Sequence, residues 1–308
     1  MRFRRADLVG VGVVTVAGCC YAAATIAIKL AYRQQAGTGL VAWIRFAGAA
    51  LVLWGLARML RVARRPEPRK LRSLVVMGLV ASVVGGLFVG SLERIPASAS
   101  TLLLYAHPAM VALATAALGR ERWGLGKGVA LGLSTVGLVL VLGTPAAELD
   151  WVGVGMALGA AVALATFIVL AQRAVAAVHP LVSSGIVQGT AAFAFAPVAV
   201  ATGAVHPGRI PVSLGWMVAV ALFTAAALAL FLSAVDRLGP TRASIGATVE
   251  PVVTVILGVV VLGESLTGIQ LLGGALVVAA VAILPLVEHR AVAATDLPPV
   301  GRPTGRES

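Results

Sequence analysis

Charge is what this chain has least of. Asp, Glu, Lys and Arg make up 12% of its 308 residues, against about 25% in a soluble domain. A chain so poor in charge has no means of covering a water-facing surface. Lipid must therefore solvate most of it, and no segment is left for a nucleic-acid-binding domain. Cysteine is nearly missing too. Cys19 and Cys20 are adjacent in an apolar run, which excludes a disulfide framework and a cysteine metal site and leaves them as small packing residues. No GxxxxGK[ST] loop, HExxH, Gly-x-Ser-x-Gly or Cys/His cluster occurs. The chain is thus expected to carry no ATPase domain, metal or cofactor, and not to be an enzyme.

What is present is apolar. Hydrophobic residues make up 59% of the chain and glycines number 35, a composition suited to close helix packing in a bilayer. A spanning helix needs about 20 mostly apolar residues. Ten such runs can be drawn: Leu8–Ile28, Thr38–Ala57, Ser73–Leu92, Ala97–Leu118, Leu125–Gly143, Trp151–Ala171, Leu181–Thr202, Ser213–Val235, Pro240–Leu262 and Leu266–Val287. Residues 288–308 are rich in Pro, Gly and charge and are expected to be disordered. Arg2, Arg4 and Arg5 before Val16-Ala17-Gly18-Cys19 resemble a lipoprotein signal, but cleavage there would remove the first span. Counting basic residues by loop sets the orientation. With the N-terminus inside, 19 of the 24 Lys and Arg fall in cytoplasmic segments and four in outer ones. The expectation is a multi-pass protein of the inner (plasma) membrane with both termini cytoplasmic.

A shift of 143 residues lays one half on the other without a gap: Pro68 on Pro211, Phe88 on Phe231, Arg94 on Arg237, Pro108 on Pro251 and Glu121 on Glu264. An odd number of spans per copy inverts the second copy. The fold expected is therefore an all-α membrane protein, ten transmembrane helices in two inverted five-helix repeats. The first repeat covers residues 1–145 and the second 146–287, followed by the cytoplasmic tail. Inverted repeats are a mark of secondary transporters, with the substrate near the midplane where the copies meet.

Several motifs point the same way. Ala27-Ile28-Lys29 ends the first span and Ile44-Arg45-Phe46 lies in the second. Ala97-Ser98-Ala99-Ser100…His107-Pro108…Glu121 is echoed by Ala243-Ser244…Glu250-Pro251…Glu264. Over residues 8–287 the chain resembles the EamA branch of the drug/metabolite transporter superfamily. The resemblance implies a ten-helix exporter or permease for amino acids, other metabolites or drugs. His107, and the charged residue before Pro251, depart from the usual pattern.

Ionisable groups inside a bilayer cost about 2.5–3.5 kcal/mol on insertion scales, so Arg45, His107 and Glu250 need a reason to be there. His107 and Glu250 correspond under the shift, and each precedes a proline. Pro108 cannot donate to the carbonyl of Leu104, nor Pro251 to that of Ala247, which weakens both helices at mid-depth. Glu250, alone or paired with His107, is expected to bind a cationic substrate group or carry a coupling proton. Arg45, opposite Gln188, suits a carboxylate anchor or a helix-bridging residue. Lys29 reads as an interface anchor, with a gating role implied by the family resemblance. Tyr21, Thr25, Tyr105, Ser184 and Gln188 could line a cavity or bridge helices. Glu121 and Glu264 read as structural helix-end residues. The partners expected are a small-molecule substrate and the lipid bilayer, with no nucleic acid, and the proposals of proton coupling and a homodimer stand beside them. A lipid-linked enzyme or a membrane accessory subunit is the competing reading; neither needs two near-equal halves.

Overall fold

A computed structural model describes residues 5–62, 66–107, 150–175, 178–201, 210–238 and 246–280, with Met110, Ala243 and scattered positions from 129 to 140. The expectations for Pro108, Glu121, the fifth span as a whole and the tail lie outside the described residues. Among these residues there are helices and no strands. They are α1 (Arg5–Arg33), α2 (Thr38–Met59), α3 (Pro68–Arg94), α4 (Ala97–Leu104), α5 (Trp151–Ala174), α6 (Pro180–Ala201), α7 (Ile210–Leu238) and α8 (Val249–Leu262), followed by α9 (Gly268–Ala280). Six are long and apolar enough to cross a membrane.

Composition alone makes them helical: in lipid the backbone must satisfy its own hydrogen bonds. Apolar side chains therefore point outward as well as inward. Phe193, Leu51 and Val200 are 85%, 76% and 77% exposed on the bundle surface, where acyl chains would cover them. Helix ends follow polar rules. Arg33, Arg58, Arg94 and Arg237 sit in last turns, where cations favour the dipole. Pro68 occupies the first turn of α3, where its missing N–H costs nothing. Asp150 caps α5, accepting from Val152 N at 2.8 Å and Gly153 N at 3.2 Å. It also pairs with Arg94 at 2.6 Å. The hydrogen bond from Arg94, before any other cause, holds the Asp150 carboxyl below its usual range.

The helices pair across the two halves in a matched way. α1 packs on α7 as α5 packs on α3; α2 packs on α7 as α6 packs on α3; α2 and α6 pack on each other. Under the 143-residue shift each of these contacts maps onto its counterpart. The fourth and ninth spans are interrupted near the positions where proline is expected to weaken them. α4 stops at Leu104, with a turn at Tyr105–Ala106, and α8 begins at Val249 after a turn at Thr248. Tyr105 and Thr248 are themselves 143 residues apart. Each break precedes one of the two prolines in the sequence.

Glycine permits the tightest approaches. A Cβ at Gly246 would lie 2.0 Å from Val14 Cγ1, and one at Gly18 would lie 3.2 Å from the Glu250 backbone nitrogen. α1 thus lies directly on the start of α8.

Candidate functional site

Two apolar clusters fill the bundle. One, toward the Lys29 end, contains Ile28, Phe88, Leu92, Leu104, Met217 and Leu262. The other contains Val14, Leu74, Met77, Phe167, Leu232 and Val235. Leu164 packs against both. A cavity of about 130 Å³ lies where they meet. Of the 22 residues lining it, 16 form eight pairs at a spacing of 143, including Tyr21 with Leu164, Arg45 with Gln188, Phe88 with Phe231 and His107 with Glu250. The cavity is thus lined largely by residues that correspond under the shift. Its shape is shared between the halves and its polarity is not.

The two carbonyls released by proline have found side-chain donors. The His107 ring nitrogen Nδ1 lies 3.0 Å from the Leu104 carbonyl oxygen. To donate there Nδ1 must carry the hydrogen, which leaves Nε2 as an acceptor in the neutral ring. Tyr105 Oη donates to the Ala247 oxygen at 2.5 Å. The same hydroxyl lies 3.1 Å from Glu250 Oε2. It has one hydrogen to give, and the shorter contact claims it. The carboxylate of Glu250 is left facing the cavity with acceptor capacity to spare.

His107 and Glu250, whose contact the sequence leaves open, both line the cavity, and no hydrogen bond joins them. His107 is occupied with its own helix and with Tyr105, whose ring it meets edge-on at 5.4 Å. Tyr105 is the residue that bridges the two broken spans. Arg45 reaches the cavity from α2 with its guanidinium 5.8 Å above the Phe88 ring, within cation–π range. Its Nε is buried and has no hydrogen-bond partner. No ion pair within 4 Å joins it to Glu250.

Tyr21, Thr25 and Gln188 line the cavity, whereas Ser184 does not. Ser184 is fully buried beside it. Lys29 is also elsewhere, and it is not a simple interface anchor. It lies in a cleft at the end of the bundle with Tyr32, Arg33, Glu93 and Glu264. There Lys29 Nζ donates to the Ile95 oxygen at 2.7 Å, Tyr32 Oη donates to the Val89 oxygen at 2.8 Å, and Arg33 donates to the Leu262 oxygen. Glu264 accepts from Ala97 N at 2.7 Å, Ser98 N at 3.2 Å and Ser98 Oγ at 2.7 Å. An anion caps the start of α4 and a cation the end of α8, each matching its helix dipole. These contacts tie α1, α3, α4 and α8 together at the Lys29 end.

Phe88 and Thr224 escaped the sequence reading as cavity residues. Their signal was present in the shift: Phe88 falls on Phe231, and Thr224 falls on Ala81, a polar group opposite an apolar one.

The family model of EamA-like transporters matches this chain twice, over residues 8–143 and 151–285. The chain belongs to the EamA-like transporter family. The two matches begin 143 residues apart, the spacing that relates the cavity pairs. Within this family the chain is 32% identical over 245 residues to the threonine/homoserine exporter RhtA of Salmonella typhimurium, covering 77% of this chain and 78% of that one. It is 30% identical over the same length to RhtA of Escherichia coli K12, with the same coverage. An uncharacterized transporter of Synechocystis is 27% identical over 202 residues, covering 63% of this chain and 60% of that one. A solved crystal structure shares the fold with a TM-score of 0.61 at 22% identity, covering 90% of this chain and 98% of its own. This EamA member is a multi-pass membrane transporter.

Proposed function

We propose that this chain exports a small zwitterionic metabolite of the amino-acid type, by alternating access between two inverted five-helix halves. One observation carries the reading: Arg45, with an unpartnered Nε, and Glu250, with free acceptor capacity, line one cavity without pairing to each other. Opposite charges held apart in a low-dielectric space are costly when empty. A ligand that brings a carboxylate to one and an ammonium to the other offsets that cost.

The size of the cavity supports the same choice. A closed site of about 130 Å³ is close to the roughly 150 Å³ engineered cavity that holds benzene, so it suits a molecule of six to nine heavy atoms. A drug-sized ligand is larger than that. The relatives named as threonine/homoserine exporters move molecules of the fitting size and charge. The matched helix pairs and the paired cavity lining support two interchangeable halves, which alternating access requires. With the termini on the cytoplasmic side, the Lys29 end faces outward, and export begins with entry from the opposite end. Glu250, accessible to substrate and solvent from the cavity, is then the group at which a proton gradient would act.

The test is efflux from reconstituted vesicles loaded with a panel of amino acids and cationic drugs, with and without a pH gradient. Small amino acids should leave. E250Q and R45Q, which gives position 45 the residue of its counterpart, should each lower their efflux at least tenfold. Full transport by both variants, or transport of the drugs alone, would overturn the reading.

A further inference from the structure

We propose that the Thr224 hydroxyl is the specificity-determining group of this site, reading a hydroxyl on the substrate's side chain; the inference rests on the zwitterion reading above.

Serine and threonine in a membrane helix ordinarily give their hydroxyl proton to a carbonyl one turn back. This chain follows that habit on several helices. Thr15 donates to the Val11 oxygen at 2.9 Å, Ser82 to Leu79 at 2.7 Å, Ser91 to Phe88 at 2.7 Å and Thr166 to Val162 at 3.1 Å. Thr224 on α7 does not. It is 1% exposed, its Oγ1 is buried with no partner, and its side chain lines the cavity. Five buried side-chain polar atoms lack partners among the described residues. Of those, Arg45 Nε and Thr224 Oγ1 belong to cavity-lining residues. A buried hydroxyl left unsatisfied is unfavourable, and the scaffold does not require one at this place, because the counterpart position holds Ala81. The ligand is what Thr224 lacks.

The geometry lets one small molecule reach both groups. α2 and α7 run parallel: Met217 packs in the cluster of Leu40 and Val41, and Ala225 in that of Ala49 and Leu53. Their closest approach is at Gly48, where a Cβ would lie 2.6 Å from Ala221 Cβ. Arg45 stands one turn before that contact and Thr224 one turn after it. At 1.5 Å rise per residue their Cα atoms are about 9 Å apart along the axes. Both side chains reach from those backbone positions into the same cavity, which sets the gap between the groups they present. A carboxylate and a hydroxyl on the same short skeleton span that gap, with the ammonium left for Glu250.

Threonine and valine are nearly isosteric and differ in this one group, so they are the probes. Full-length protein in vesicles loaded with either is compared as wild type, T224V, T224S and, as a control away from the cavity, T166V. Wild type should export threonine roughly 5- to 150-fold better than valine, the range expected for leaving or pairing one buried hydroxyl. T224V should bring that ratio close to one, T224S should restore it, and T166V should leave it as in wild type. T224V should unfold no more readily than wild type, since it removes a hydroxyl with no partner to lose. A T224V protein that keeps the wild-type ratio overturns the proposal. So does one that loses stability and exports both substrates less in equal measure, which marks a packing role. Equal export of threonine and valine by the wild type removes the hydroxyl reading alone. Export of no amino acid removes the zwitterion reading beneath it.

Discussion

Replacing Tyr105 by phenylalanine isolates the contact that joins the two broken spans. The ring is 3% exposed and keeps its volume, so no cavity opens. What is lost is the donor to the Ala247 oxygen at 2.5 Å. Pro251, four residues on, has no N–H to replace it, and the carbonyl lies where water is scarce. An unsatisfied buried carbonyl costs about 1–3 kcal/mol, which is the penalty expected for Y105F. The reason for that penalty can be tested separately from its size. Pro251→Ala restores a backbone N–H at the position that would normally serve Ala247. In that background Y105F should cost about 0.5 kcal/mol or less, giving a coupling of about 1–2 kcal/mol between positions 105 and 251. The assay is equilibrium unfolding of wild type, both single variants and the double variant in the same detergent. A Y105F penalty that is the same in both backgrounds, within about 0.5 kcal/mol, would refute the idea that Tyr105 serves the proline-released carbonyl.

Other perturbations follow from the same contacts. E264A removes three acceptor contacts at the start of α4 and should destabilise by about 1–3 kcal/mol in the same assay. G258A should do so more mildly, because its Cβ would lie 2.7 Å from Glu264 Oε2. G246A drives a methyl into Val14 and should cost about 1–3 kcal/mol, with V14A in the same chain recovering much of it. Asp150 has a folded pKa held below the ordinary carboxylate value by Arg94. Its contribution is therefore in place above the ordinary carboxylate pKa and is lost as the pH falls through the lower folded value. D150N should abolish that acid-side loss in a thermal-melt series against pH.

Much of this architecture can be read from the chain, because its strongest signals are local or periodic. Apolar runs of spanning length, a constant offset between halves and the prolines at 108 and 251 are all visible in one dimension. The prolines even name the carbonyls, Leu104 and Ala247, that need other donors. Which side chains supply those donors is a three-dimensional matter. His107 reaches back to its own helix, while Tyr105 crosses to the other half, and no spacing rule separates the two. The same holds for Lys29. Its place near the end of α1 suggested headgroups, but the Ile95 carbonyl that captures it is 66 residues away. The shift sets Thr224 against Ala81, but that its hydroxyl lacks a partner is a finding that needs every neighbour in place.

The central claim is that Arg45 and Glu250 hold opposite ends of one zwitterion. The most direct measurement is binding to the purified protein of threonine, of its amide and of its decarboxylated amine, with wild type, R45Q and E250Q. Wild type should bind threonine best. R45Q should bind threonine and its carboxylate-free analogues about equally, while E250Q should still discriminate among them and bind all of them more weakly. If both variants keep the wild-type order, or lose it in the same way, the two residues are not reading separate charges and the account of the site is wrong.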